Sequence, residues 1–215
     1  MIYFFFVPIQ RTVEETRQMN FGALIKKKVF WLLIVIMICA GASELAMSQW
    51  ASTFAESALG VSKTVGDLAG PCAFAVLMGL ARAFYGKCSE RIPLKKFMIG
   101  CAVLCIGCYA LAMLAEMPLF GLIGCAVCGF SVGIFWPGTF SVAAVKLPAG
   151  GTVMYALLAL AGDIGCSSGP TVVGMVADST GNNLKSGLGA AMIFPVVILI
   201  GLMLLKTDRT AGAID

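Results

Sequence analysis

Long apolar runs alternate with short polar, basic stretches along nearly the whole chain. Six runs approach or exceed the roughly 20 residues that a helix needs to cross the hydrocarbon of a bilayer. They occupy residues 29–50, 64–86, 97–115, 119–145, 152–177 and 186–205. Three of them, 97–115, 119–145 and 186–205, carry no charged side chain at all. A backbone in lipid must satisfy its own hydrogen bonds, so runs of this kind predict helices. The expected fold class is an all-α integral membrane protein with six transmembrane helices. Its expected organisation is a cytoplasmic segment over 1–28, a six-helix bundle over 29–205 and a cytoplasmic tail over 206–215.

Composition agrees with that reading. Hydrophobic residues make up 60% of the 215 positions and charged residues 12%, where a soluble domain carries about 25% charged residues. Charge placement sets the orientation, because short cytoplasmic loops are enriched in Lys and Arg. Of fifteen such residues, thirteen fall on one side: Arg11, Arg17, Lys26, Lys27, Lys28, Arg82, Lys87, Arg91, Lys95, Lys96, Lys146, Lys206 and Arg209. Only Lys63 and Lys185 fall on the other. The split predicts a multi-pass protein of the cell membrane with both termini cytoplasmic. The net charge of +4 is thus a topology signal. Its basic residues are spread over four loops rather than gathered on one face, so no nucleic-acid partner is expected, while Lys26, Lys27 and Lys28 are placed at anionic headgroups.

Residues 1–9 are apolar but too short to span, and they lack a basic leader. They read either as the tail of an earlier crossing helix, in a chain that begins inside a longer protein, or as a short interfacial anchor.

Small residues crowd the helices. Lipid supplies no hydrophobic drive between helices, so close backbone approach matters more than in water. Gly129 with Gly133, and Gly165 with Gly169, have the spacing of small-residue packing pairs. Pro71, Pro137, Pro170 and Pro195 lie inside spans and each is expected to bend its helix, since proline removes a backbone donor. Several bent helices suit a transporter, although proline is also tolerated in membrane helices generally.

Ionisable groups at membrane depth are costly and mark cavities or partners. Glu44 lies about 22 Å into the first run, in its outer half, and Asp163 about 16 Å into the fifth, near mid-depth. Gln49 and Trp50 follow Glu44. Trp50 reads as an interfacial belt residue or as a stacking platform for a ligand. Asp163, among Gly162, Gly165, Ser167 and Ser168, reads as a proton, cation or substrate contact, or as a carboxylate satisfied by neighbouring helices. Asp67 suits a helix start or a gate, and Arg82 is placed near the inner surface, able to snorkel outward.

Nine cysteines include Cys105 with Cys108 and Cys125 with Cys128, two C-x-x-C pairs on consecutive spans. Counting from the turn at Met117 and Pro118 puts Cys108 and Cys128 at similar depth. A thiolate zinc site or a redox pair is opposed by desolvation of thiolates in hydrocarbon and by the lack of any nearby cation. The thiols are therefore expected to be buried small hydrophobes, with no metal and no cofactor. The chain has no His and no phosphate-binding glycine loop, so no enzyme is expected.

Three stretches together resemble the carboxyl-terminal six-helix half of a major facilitator superfamily transporter, over about residues 20–207. Residues 79–91, GLARAFYGKCSER, followed by Lys95 and Lys96, are similar to the basic loop between the eighth and ninth helices of that family. Arg82, Gly86, Lys87 and Arg91 match the character of its G-x-x-x-D-R-x-G-R-R signature, although the Asp is absent. Residues 129–138, GFSVGIFWPG, resemble its glycine-rich tenth helix. Residues 41–50, GASELAMSQW, are similar to the seventh helix of the fucose/glucose–galactose permease branch. The resemblance implies one half of a twelve-helix secondary transporter, a symporter moving a small polar solute such as a sugar by alternating access, coupled to H+ or Na+. It further implies a substrate site of Glu44, Gln49, Trp50, Trp136 and Asp163, and an inner gate at Arg82, Gly86, Lys87 and Arg91. The amino-terminal half, or a second chain, would be the missing partner. Two other functions compete with this one: a membrane thiol-oxidoreductase using both C-x-x-C pairs, and a non-catalytic scaffold subunit.

Overall fold

The computed structural model describes residues 19–60 and 62–205. The expectations for residues 1–9, and the basic positions Arg11, Arg17, Lys206 and Arg209, lie outside the described residues.

A short helix α1 (Phe21–Ile25) precedes α2 (Lys28–Ser48) and α3 (Ala51–Leu59). Then come α4 (Lys63–Cys88), α5 (Leu94–Leu114), α6 (Pro118–Val132), α7 (Phe135–Lys146), α8 (Gly151–Ser179), α9 (Leu184–Ala191) and α10 (Ile193–Leu204). No strand occurs among the described residues. Six helical stretches are long and apolar enough to cross a membrane: Lys28–Thr53, Lys63–Cys88, Leu94–Leu114, Leu119–Lys146, Gly151–Ser179 and Leu184–Leu204. They coincide with the six runs read from the sequence. The first, fourth and sixth each divide into two helices, α2 with α3, α6 with α7, and α9 with α10.

The basic turns gather at one end of the bundle. There the Lys95 ammonium donates to the Leu205 carbonyl, joining the start of α5 to the end of the last span. At the opposite end Lys185 Nζ donates to the Ala115 carbonyl at 2.6 Å, joining α9 to the α5–α6 connection. Lys63 there pairs with Asp67 at 3.5 Å and with Glu56 at 3.8 Å. Ser52 donates to Asp67, which fastens α3 to the start of α4, and Glu56 of α3 lies 3.2 Å from the same hydroxyl.

The core lies along α2, which makes its largest interface with α8 and also touches α7, α6 and α10. Phe30, Leu33, Ile36, Met37 and Met47 of α2 are fully enclosed or nearly so. Around the outside, Leu68, Val76 and Leu80 of α4, Val103 and Leu114 of α5, and Ile193, Ile200 and Met203 of α10 are exposed. A monomer in water rarely presents so much contiguous apolar surface. A six-pass bundle in lipid presents it as a matter of course.

The prolines divide two and two. Pro137 and Pro195 stand in the first turns of α7 and α10, just past the breaks that divide their spans. Pro71 and Pro170 stand inside unbroken α4 and α8. Two of the four prolines thus stand at divisions of their spans, and two within continuous helices. The first span divides without a proline, at Gln49 and Trp50, where the Trp50 amide turns back to Met47 O at 3.2 Å.

Candidate functional site

Backbone packing determines which side chains can meet. On α2, a Cβ at Gly41 would strike the Gly162 carbonyl of α8. One turn on, a Cβ at Gly165 would strike the Ile38 carbonyl, and one at Gly169 the Ala42 carbonyl. The two helices therefore lie backbone against backbone, as small-residue seams permit. The far side of Gly162 is covered by the Trp136 indole, which occupies the space where a side chain would be. Glu44 follows Gly41 by one turn of α2 and Asp163 follows Gly162 directly. The seam thus brings Glu44, Trp136 and Asp163 to neighbouring positions at membrane depth. Cys166, which the sequence did not single out, lies near both carboxylates.

The second span adds a cation. Arg82 Nε donates to the Gly133 carbonyl at 3.0 Å, and a terminal nitrogen approaches Met78 Sδ at 3.6 Å. The reason for the first contact is local chemistry. In an α-helix the Gly133 carbonyl would accept the N–H of residue 137, which is Pro137 and has none. A charged donor on the neighbouring helix takes up the freed oxygen. Arg82 therefore turns inward along α4 and does not reach outward to the basic end. The guanidinium lies on the same side of the bundle as Glu44, within range of its charge but not in an ion pair with it. Gly133 is itself closely packed on α4, since a Cβ there would approach Met78 O at 2.8 Å.

Two candidate aromatics share one property. The indole nitrogens of Trp50 and Trp136 are buried without a hydrogen-bond partner among the described residues, as are the hydroxyls of Ser43 and Thr139. Buried polar atoms in proteins are normally paired, which sets these four apart from the rest of the described core. Gln49, beside Trp50 at the break of the first span, is exposed. Asp163 points to the outer face of α8, where an open groove of about 540 Å³ runs past Ser167, Ser168 and Thr171. Those hydroxyls donate back to carbonyls of their own helix, Thr171 to Ser167 O at 2.7 Å among them.

The remaining predicted positions stand apart. Gly86 and Lys87 close the last turns of α4, and Arg91 lies in the turn before α5, its amide bonded to Cys88 O at 3.0 Å. Tyr85 stacks on Phe97 across that turn at 4.9 Å between ring centroids. The four cysteines of the two C-x-x-C pairs cluster between α5 and α6. Cys105 and Cys128 meet at 3.8 Å between sulfurs. Tyr109 is fully buried beside them and donates to the Ser43 carbonyl at 2.8 Å. All nine thiols are free. No group of three or more His, Cys, Asp or Glu side chains among the described residues could hold a metal ion.

The candidate residues come from four spans: Glu44 and Trp50 from the first, Arg82 from the second, Trp136 from the fourth, Asp163 and Cys166 from the fifth. The third and sixth spans contribute none of these residues. Against known proteins, the family model described as Major Facilitator Superfamily matches residues 1–170. No curated protein and no solved structure matches the chain.

Proposed function

The chain belongs to the major facilitator superfamily, a family of membrane transporters, and on that premise we propose that it forms one six-helix half of a secondary carrier for a small polar solute, a sugar among the candidates. In this reading the half is the carboxyl-terminal one, the solute is received between Glu44, Trp136 and Trp50, and transport proceeds by alternating access coupled to H+ or Na+. The observation that carries the reading is a half-buried Glu44 on the Gly41–Gly162 seam, with a buried Trp136 indole that has no partner among the described residues packed on the same seam. Charges at membrane depth are expensive unless a polar cavity repays them, and hydroxyl-rich solutes suit a carboxylate set beside flat aromatic faces. The row formed by Asp163, Ser167 and Thr171 on the exposed face of α8 supports a second six-helix unit facing it across water, because a carboxylate facing lipid is disfavoured. The basic turn with Lys87 and Arg91 is assigned to the inner gate, and the basic end to the cytoplasm of the cell membrane.

The test is uptake of labelled hexose into vesicles under an imposed proton or sodium gradient. The chain would be supplied together with an amino-terminal six-helix half. Glu44→Gln is expected to depress uptake about tenfold or more, as removal of a charged partner does. Unaltered uptake in that variant would remove Glu44 from the site.

A further inference from the structure

Three glycines of α8 are too crowded to carry a side chain, and different neighbours crowd them. At Gly165 and Gly169 a Cβ would run into α2 backbone, at the Ile38 and Ala42 carbonyls. At Gly162 it would meet a side chain instead. The atoms in its way are Cη2, Cζ2 and Cζ3 of Trp136, with Cζ2 at 2.6 Å and Cζ3 at 3.0 Å. These atoms form the far edge of the indole. The Gly162 carbonyl, for its part, packs against Gly41 of α2. Gly162 is therefore backed by a helix and covered in front by one aromatic ring.

That ring is itself confined. Trp136 stands in the first turn of α7, directly before Pro137, and proline restricts the backbone of the residue ahead of it. The indole meets the Phe140 ring edge-on at 6.4 Å between centroids, and Phe140 lies 5.9 Å from the Tyr155 ring of α8. The row Trp136, Phe140 and Tyr155 follows a boundary along which α7 and α8 otherwise touch lightly. In a closely packed interior an added methyl group displaces whichever neighbour yields most easily. At Gly165 the helices would have to part. At Gly162 the backbone of α8 rests on α2, so the indole would have to move.

We infer that Gly162 is the positioning residue for Trp136. Its missing side chain lets the edge of the indole seat on the α8 backbone, which fixes where the ring stands in the neighbourhood of Glu44. In the carrier reading, on which this last step rests, the size of residue 162 sets the room left beside the ring and so helps to determine which solute fits. A methyl group there pushes the ring off α8, and small misplacements of a positioned group carry a disproportionate cost.

The first experiment uses the 215-residue chain in neutral detergent micelles, with Trp136 as its sole tryptophan after W31F and W50F. G162A is expected to shift the emission spectrum and to increase quenching by acrylamide. G174A, on the same helix with nothing within 4 Å of the added carbon, should change neither. Phenylalanine lacks the far edge of the indole, so W136F should remove the loss of unfolding temperature that G162A causes. An unchanged spectrum in G162A, or the same thermal loss with either ring, would overturn the inference. Should G162A fail to fold, recovery of folding on adding W136F supports it, and failure of both chains overturns it. Uptake in the vesicles used for Glu44→Gln then tests the solute. G162A is expected to raise KM for hexose about tenfold with kcat retained, as loss of a ground-state contact does. A shifted spectrum with unaltered KM would overturn the role in specificity alone. Uptake missing from every chain, the unsubstituted one included, would instead overturn the carrier reading, while the spectrum still decides the placement of the indole.

Discussion

Where α2 meets α8, backbone lies on backbone; where α5 meets α6, soft side chains fill the gap. The first seam leaves no room for a Cβ at Gly41, Gly165 or Gly169. The second is filled by Cys105, Cys108, Cys125, Cys128 and the buried ring of Tyr109. Cys125 there reaches toward Met47 O at 3.6 Å, and Tyr109 bonds to Ser43 O. Both seams are made of residues that look alike in a composition table, small or sulfur-bearing and apolar. They differ in what they can absorb. A seam of carbonyls and Cα atoms has no rotamers to adjust, whereas thiols are small and polarizable and repack easily. The rigid seam is the one that sets Glu44, Trp136 and Asp163 beside one another. The adaptable one lies behind them.

The largest effect is expected from Gly165→Leu, which drives a branched side chain into the Ile38 carbonyl and should cost about 3 kcal/mol or more. The matching change at Gly174, on the same helix with nothing within 4 Å, should cost little and can even help through helix propensity. Reversible unfolding in mixed micelles of detergent and denaturant measures both, and equal losses would break the contrast. Next comes the paired replacement Cys105→Ala with Cys128→Ala. It leaves two small voids at about 1 kcal/mol each, with transport retained; abolished transport with intact folding would instead favour the thiol-oxidoreductase reading. The smallest loss, about 0.6 kcal/mol, is expected for Tyr109→Phe, in line with hydrogen bonds between membrane helices. A loss several times larger would mean that the phenol bond to Ser43 organises the core and that the seam is not soft after all.

The spans were legible because their signal is integrated over many residues. Twenty apolar positions in a row, and a one-sided distribution of Lys and Arg, survive errors at any single residue. Site geometry depends on single residues and on direction, and there the sequence misleads. Arg82 sits near the basic end of its run, which suggests a side chain reaching for water. Side chains on a helix lean toward its N-terminus, and α4 starts at the other end of the bundle, so the lean of Arg82 is into the membrane. Pro137 was the available clue, since it frees the Gly133 oxygen and so creates a need for a donor at that level. The break at Gln49 and Trp50 carried no such clue, having neither proline nor glycine at the division. Which cysteine sulfurs touch, Cys105 with Cys128, depends on the length of a turn, a quantity that hydrophobic patterning does not encode. Glu44 and Asp163 were found as costly charges, yet only the packing of Gly41 on Gly162 reveals that they belong to one neighbourhood.

The contact between Arg82 and the Gly133 oxygen has a further consequence for motion. If the guanidinium swings away, that oxygen loses its donor, and a water molecule must take the vacated place to restore the bond. Displacement of the arginine and hydration at the fourth-span bend are thus coupled thermodynamically.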